Sequence, residues 1–204
     1  MVKRSVVTPL IALSFLFIVL SNAYSQLANT AWPKFQGDNG NSGRTSIVAY
    51  GQRRAWTASG AGGWGGTSSS IGADGAIYHA TSTGLMAINP NGTRRWMHNG
   101  GPASCTAAIG ADGTVYYGTI APSGSPEVCT FYAVRPDGTT KWSFSVPGWS
   151  ITSPVLDASG NLTFASPAET GYVYSLRADT GEVRWQTYVG NVYGSPALDS
   201  AGHI

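Results

Sequence analysis

Two short sequence markers recur along this 204-residue chain with a shared period, and this repetition constrains the fold more than any other feature. The first marker is a turn sequence that ends in glycine, with closing glycines 38, 47 and 42 residues apart. These glycines are Gly75, Gly113, Gly160 and Gly202. The second marker is a tryptophan, with separations of 40, 46 and 43 residues. Because two independent markers keep one period, the chain is predicted to repeat one structural unit.

Each repeat contains four segments typical of β-strands, separated by turns rich in glycine. In the first complete repeat the predicted strands are residues 68–71, 76–81, 85–89 and 93–98. Four antiparallel strands in about 40 residues are the signature of a β-propeller blade. The sequence therefore predicts an all-β propeller of four-stranded antiparallel blades, about three of them complete and flanked by partial ones. A β-sandwich is the alternative, but it would not explain why glycine and tryptophan keep common offsets.

The low charge content excludes some classes of protein. Charged residues make up 11% of the chain, against about 25% in ordinary soluble domains, and the formal net charge is +2. A nucleic-acid-binding protein requires a basic face, so no nucleic-acid partner is expected. The 42% hydrophobic content is sufficient for a folded core and argues against a disordered chain.

The first 25 residues are predicted to be a cleavable secretory signal peptide. Lys3 and Arg4 precede an apolar run over residues 10–20, and Ala23 and Ser25 provide small residues for cleavage after Ser25. A membrane anchor is the alternative, but the run is shorter than the roughly 20 residues that a span needs. Cleavage would leave ten basic and ten acidic residues, hence a neutral mature chain. We expect a secreted, periplasmic or cell-surface protein without a transmembrane span, with a leader and entry segment over residues 26–46 and blades over residues 47–204.

Residues 175–185 resemble the tryptophan-docking motif of pyrroloquinoline-quinone (PQQ) enzyme repeats, Ala-x-Asp-x-x-Thr-Gly-x-x-x-Trp, with departures at Ser175 and Arg177. Residues 133–142 and 87–96 are shortened versions, and residues 32–38 are similar to the entry sequence of secreted PQQ-like propellers. The resemblance covers residues 32–204. It implies the fold rather than one activity, because such repeats occur in dehydrogenases and in non-catalytic scaffolds.

Members of this family usually close a ring of seven or eight blades. The resemblance therefore implies that the sequence is a fragment of a longer chain, incomplete at its C-terminus. A natural four-bladed ring that pairs the two partial blades is the alternative. The repeated tryptophans are expected to pack between adjacent blades near the outer strand, which makes them structural blade-docking residues. They are Trp56, Trp96, Trp142 and Trp185.

Two cysteines could form a disulfide in an exported protein. Cys105 precedes the first strand of its blade and Cys129 precedes the third, so both lie at the same end of the blade. Two strand spacings separate them, which exceeds the Cα distance that a disulfide accepts unless the inserted loop folds back. The sequence leaves a disulfide and two free buried thiols as open alternatives.

Three aromatic residues are candidates for a binding surface. Trp64, Trp149 and Tyr193 lie in the predicted connections between blades, at one face of the propeller. Aromatic residues on such loops can form a platform for a ligand or peptide. The alternative is that their rings cover the junctions between blades.

The function predicted from these observations is a non-catalytic scaffold that binds a protein, peptide or glycan. A PQQ-dependent alcohol or sugar dehydrogenase is one alternative, and the resemblance would then imply PQQ and calcium. Adjacent cysteines of the kind found in many such enzymes are missing, and the three histidines lack metal-ligand spacing. No cofactor, metal site or catalytic residue is therefore predicted, and Asp157 and Asp199 are expected to shape turns. A periplasmic scaffold of the outer-membrane barrel-assembly type is the other alternative, although no lipoprotein cysteine follows the apolar run.

Overall fold

Twelve β-strands form three antiparallel sheets in the part of the chain that the computed structural model describes. The structure describes Leu27, residues 33–36, Asp38, Asn41, Thr57 and residues 67–121, 128–168 and 171–204. The predicted signal peptide, Trp56 and Trp64 lie outside these residues. Within them, no helix is long and apolar enough to cross a membrane.

Each sheet is one blade, in which every strand pairs with the next along the chain. Sheet 1 contains β1 (Ser70–Ile71), β2 (Ile77–Thr81), β3 (Gly84–Ile88) and β4 (Arg94–His98). Sheet 2 contains β5 (Ala108–Ile109), β6 (Val115–Gly118), β7 (Val128–Val134) and β8 (Thr140–Pro147). Sheet 3 contains β9 (Val155–Leu156), β10 (Asn161–Ser166), β11 (Tyr172–Arg177) and β12 (Val183–Tyr188). The predicted all-β fold of four-stranded antiparallel blades is confirmed.

The first strand of sheet 1 is shorter than the sequence predicts. In sheet 1 only Ser70 and Ile71 pair with β2. Ser68, which was expected to lie in the same strand, instead donates its backbone N–H to Thr106 Oγ1 in the next blade, at 2.9 Å. The start of each repeat thus contributes to the junction between blades rather than to its own sheet.

The recurring glycines close one type of turn. Gly75 has a φ of 77° and donates its N–H to the Gly72 carbonyl at 2.9 Å, while Gly72 donates to Ala76 O at 2.8 Å. The same pair of bonds is found in the turns at residues 110–114, 157–161 and 199–203. A positive φ favours glycine, which explains why the sequence repeats it at this position.

Aspartate side chains stabilise these turns, as the sequence predicts. Asp157 Oδ1 accepts backbone N–H groups from Ser159 and Asn161, both at 2.8 Å. Asp199 Oδ1 makes the equivalent bonds with residues 201 and 203. Asp157 and Asp199 therefore satisfy backbone donors of their own turns.

The hydrophobic core lies between the blades. One buried cluster combines residues of sheets 1 and 2, among them Tyr78, Leu85 and Tyr117. A second combines sheets 2 and 3, where the Phe131 and Phe164 rings stack at a centroid distance of 4.2 Å. A four-stranded sheet cannot bury both faces alone, so each junction supplies the apolar contact that its two blades need.

The repeated tryptophans meet the next blade in the same way at both junctions. Trp96 Nε1 donates to Pro136 O at 2.9 Å, and Trp142 Nε1 donates to Ala178 O at 3.0 Å. Each indole also covers a glycine of the next blade's outer turn, Gly138 or Gly181, where an added Cβ would lie 2.8 Å from the ring.

The two cysteines are buried and are not joined in a disulfide, which is the second of the two alternatives. Cys105 belongs to the cluster between sheets 1 and 2, whereas Cys129 belongs to the cluster between sheets 2 and 3. The Cys129 thiol donates to Gly148 O at 3.0 Å. The two thiols lie in different blade junctions. Their predicted position at the same end of the blade therefore does not bring them together.

We predict that the indole and the turn glycine act as one unit, and a double-mutant cycle tests this. Gly181→Ala should lower the free energy of unfolding by about 2 kcal/mol or more, because it adds a Cβ against Trp142 to the roughly 1 kcal/mol cost of positive φ. In a Trp142→Ala background only the φ cost should remain. Urea unfolding of the parent, the two single variants and the double variant measures the cost of Gly181→Ala with and without Trp142. An equal cost in the two backgrounds would contradict the prediction.

Candidate functional site

The connections between blades meet at one face of the molecule, here called the connection face. A cavity of about 390 Å³ opens there between the segment before β5, the segment before β9, the segment after β12 and the entry segment. Its lining is uncharged and rich in hydroxyl groups. The lining residues are Phe35, Ser104, Cys105, Ser150, Ile151, Thr152, Ser153, Pro167, Tyr193, Gly194 and Ser195.

A chain of hydroxyl groups fixes the connections relative to one another. The backbone N–H of Thr106 donates to Ser153 Oγ at 3.1 Å, and the N–H of Ser153 donates to Ser195 Oγ at 3.2 Å. Together with the bond from Ser68 to Thr106, this gives the same contact at three successive blade starts. The repeated Ser and Thr therefore replace backbone partners that the short first strands do not provide.

Further contacts make the cavity wall rigid. Ser104 Oγ donates to Ile151 O at 2.8 Å and accepts the Ile151 N–H at 3.1 Å, which joins two connections directly. Thr152 Oγ1 accepts the N–H of Ala165 at 2.9 Å. The hydroxyls of Ser150 and Tyr193, by contrast, make no hydrogen bond with the described residues and are open to a ligand.

The predicted aromatic residues differ in exposure. Tyr193 lines the cavity and is 68% exposed. Trp149 is half-buried beside the lining residue Ser150, and its backbone bonds to Pro167 O and to the Ala121 N–H, both at 3.0 Å. Among the described residues no ring contact joins Trp149 to Tyr193, and Trp149 is not itself one of the residues that line the cavity.

The entry segment supplies a wall that sequence reasoning did not assign to the site. Phe35 lines the cavity, Pro33 O accepts the Ile109 N–H at 3.0 Å, and Asn41 Nδ2 donates to Pro196 O at 3.1 Å. The entry segment thus connects β5 with the chain after β12. The one signal in the sequence was Phe35, an aromatic residue of the segment 32–38 that does not belong to the repeat pattern.

Lys34 in the same segment is fully buried. Its Nζ donates to Asp38 O at 3.2 Å and to Asn41 Oδ1. Burial lowers the pKa of Lys34 from 10.5 to about 8, although the Asp38 carboxylate opposes this shift. The amine holds the entry segment in its turn and does not line the cavity.

The chemistry of the lining groups does not fit PQQ with calcium. PQQ is a tricarboxylate and calcium prefers carboxylate and carbonyl oxygens, yet the described lining offers no carboxylate, amine, guanidinium or imidazole. In the described part of the chain no group of three or more His, Cys, Asp or Glu could hold a metal ion. The Cys105 thiol is also unsuited to act as a nucleophile, since burial raises its pKa to about 12.

No protein-family model and no curated protein matches the chain. Among solved structures it is similar to the quinohemoprotein alcohol dehydrogenase from Comamonas testosteroni, with a TM-score of 0.57 and 17% identity over 82% of this chain and 28% of that one. The quinohemoprotein alcohol dehydrogenase ADHIIG from Pseudomonas putida HK5 gives 0.57 and 14%, over 78% and 26%. BamB from Moraxella catarrhalis gives 0.51 and 23%, over 66% and 41%.

These similarities define the class of fold. The chain has the blade structure of PQQ-type propeller proteins and matches part of their length. It spans less than half of each of the three proteins. At such low identity the similarity concerns the fold alone.

We predict that Lys34 makes stability depend on pH in the alkaline range. Its folded-state pKa lies below the ordinary value, so the folded state favours the neutral amine, and stability should rise as pH increases from about 8 to about 10.5. Below that window the contribution of Lys34 should be constant. Thermal unfolding of the parent and of Lys34→Met at several pH values isolates this effect, and parallel pH profiles for the two proteins would contradict it.

Proposed function

We propose that this chain is a propeller-type binding module that captures a partner at the connection face without catalysing a reaction. The observation that carries the proposal is the cavity of about 390 Å³, which has an uncharged, hydroxyl-rich wall and the exposed ring of Tyr193 at its edge. Concave sites with aromatic rings and a few open polar groups are typical ligand sites. The PQQ-like propeller fold is compatible with such a role.

The character of the wall supports binding rather than acid–base chemistry. The hydroxyls of Ser104, Thr152, Ser153 and Ser195 hold backbone groups in place, and the Cys105 thiol stays protonated at neutral pH. A site with fixed hydroxyls and no nearby general base binds more readily than it transfers protons. The free hydroxyls of Ser150 and Tyr193 are the groups offered to the partner.

The partner that suits this surface is uncharged. Peptide backbone and glycan hydroxyl groups can each bond to free hydroxyls and pack on a tyrosine or tryptophan ring. Cleavage of the predicted signal peptide would leave a chain with no net charge, and such a chain would give little long-range attraction for a charged partner such as nucleic acid. We propose an exported protein, secreted or held in the periplasm or at the cell surface, as the signal-like N-terminus suggests.

A quinoprotein dehydrogenase is the second candidate, since two of the similar structures are quinohemoprotein alcohol dehydrogenases. The described cavity lacks the charged groups that the quinone and calcium would need. Incubation with PQQ and calcium, followed by dye reduction with alcohols and sugars, tests this candidate. Calcium-dependent activity would favour it over the binding module.

We predict that Trp149→Ala and Tyr193→Ala each weaken partner binding at least about tenfold while the thermal transition is kept. The reason is that Tyr193 lines the cavity, Trp149 precedes the lining residue Ser150, and neither ring belongs to the buried clusters. Arrays of peptides and of neutral oligosaccharides provide the probes, and fluorescence titration measures the affinity of those retained.

Tyr188→Ala is the matched control, because it removes an exposed aromatic ring of β12 rather than of a connection between blades. It should leave binding unchanged. If Trp149→Ala and Tyr193→Ala both abolish the thermal transition, the rings are structural and the proposed binding role fails. Binding that is equally weak in all three variants would also contradict it.

A further inference from the structure

Three hydroxyl groups that line the cavity of the connection face keep their own protons unused. Ser153 Oγ accepts the Thr106 N–H at 3.1 Å, and Ser195 Oγ accepts the Ser153 N–H at 3.2 Å. Thr152 Oγ1 accepts the Ala165 N–H at 2.9 Å. A hydroxyl carries one proton besides its lone pairs, so each of these groups can still donate one hydrogen bond. Within the described ranges no residue accepts that bond.

Two of these donors are deeply buried. Thr152 is 7% exposed and Ser153 is 6% exposed, whereas Ser195 is half-buried. A buried donor without an acceptor is costly, and such groups are rare in folded proteins. The cavity therefore presents hydroxyl donors that a ligand with acceptor atoms would satisfy.

Acceptors are scarce in the same wall. No side chain among the described lining residues carries a carboxylate, an amide or an imidazole. The Ile151 carbonyl already accepts from Ser104 Oγ at 2.8 Å, and the Pro167 carbonyl already accepts from the Trp149 N–H at 3.0 Å. The unmet need of the wall is thus for acceptors rather than for donors.

This excess of donors distinguishes between the ligand classes that the proposed function leaves open. Every glycan hydroxyl brings a proton along with its oxygen, so a bound sugar would add donors to a wall that already has too many. A carboxylate or a phosphate would supply acceptors alone, but the described lining has no cation to offset the burial of a negative charge. A neutral carbonyl oxygen meets both conditions.

Proline is the residue whose backbone offers a carbonyl without an N–H. A proline-rich segment adopts the extended polyproline II conformation, in which the carbonyls form no internal hydrogen bonds and stay available to a partner. Such segments bind in grooves lined by aromatic rings. Phe35 and the exposed ring of Tyr193 line this cavity beside the hydroxyl donors.

We propose that the connection face binds a proline-rich peptide segment, whose backbone carbonyls accept hydrogen bonds from the hydroxyls of Thr152, Ser153 and Ser195. The proline-rich partner rests on the proposed binding role of this face and specifies its ligand. The hydroxyls of Ser150 and Tyr193 add two donors to the same lining. The proline rings pack on the aromatic side chains of the cavity.

Three probes test the class of partner without any change to the protein. They are a capped oligoproline peptide, a capped glycine–serine peptide of equal length and the neutral oligosaccharide maltohexaose. In isothermal titration calorimetry the full chain should bind oligoproline at least about tenfold more tightly than either of the other two.

The same titrations separate a wrong partner from a wrong function. Binding of maltohexaose or of the glycine–serine peptide as tightly as oligoproline would overturn the proline-rich partner and support the binding role of the face. Binding of none of the three probes would also overturn the proline-rich partner. The peptide and oligosaccharide arrays would then decide the binding role by themselves.

A matched pair of variants tests the donated proton directly. Asp and Asn have nearly the same shape and both can accept the Ser153 N–H, but only Asn can also donate to a carbonyl. Ser195→Asp should therefore bind oligoproline at least about tenfold more weakly than Ser195→Asn. Equal affinities of these two variants would overturn the proposal.

Ser145→Asp is the control for the added charge, because Ser145 is an exposed residue of β8 rather than of a connection between blades. It should bind oligoproline as the parent does, and a loss equal to that of Ser195→Asp would overturn the proposal. Thermal unfolding shows whether each variant is folded. If a Ser195 variant loses its thermal transition, the comparison of the three probes decides the proposal.

Discussion

The contact between an indole and a glycine turn of the next blade is the interaction on which the architecture depends. Each sheet has two apolar faces and cannot bury either by itself, so every blade needs a neighbour at a fixed distance and angle. The tryptophan fixes this distance and angle. Its ring lies on a glycine, which has no Cβ, and its N–H donates to a carbonyl of the same turn. The packing of aromatic rings in the two inter-blade clusters follows from that spacing.

This way of building a core explains the unusual composition. Glycine is required where the turns take positive φ, and aromatic residues are required where two sheets meet. Charged residues are useful mainly on the exposed turns, as in the pair between Arg95 and Asp74. A low charge content is therefore a consequence of the repeated blade, and it leaves the connection face neutral.

The residues that join the blades also form the candidate site. Thr106, Ser153 and Ser195 accept backbone N–H groups from the preceding blade, and two of them line the cavity. A binding surface constructed in this way is rigid, because its wall cannot move without breaking contacts between blades. Specificity would then come from the few groups that the junctions do not use, the hydroxyls of Ser150 and Tyr193.

The sequence by itself determined the repeat, the four strands of each blade and the glycine turns, because strand alternation and turn conformation depend on neighbouring residues. It also indicated that Trp96 and Trp142 belong to one series with a shared period. The tertiary structure decided which junction each cysteine faces, and that Phe35 and Lys34 of the entry segment lie beside β5 and the chain after β12. These placements depend on contacts between residues far apart in the chain, for which a local pattern of residue types carries no signal.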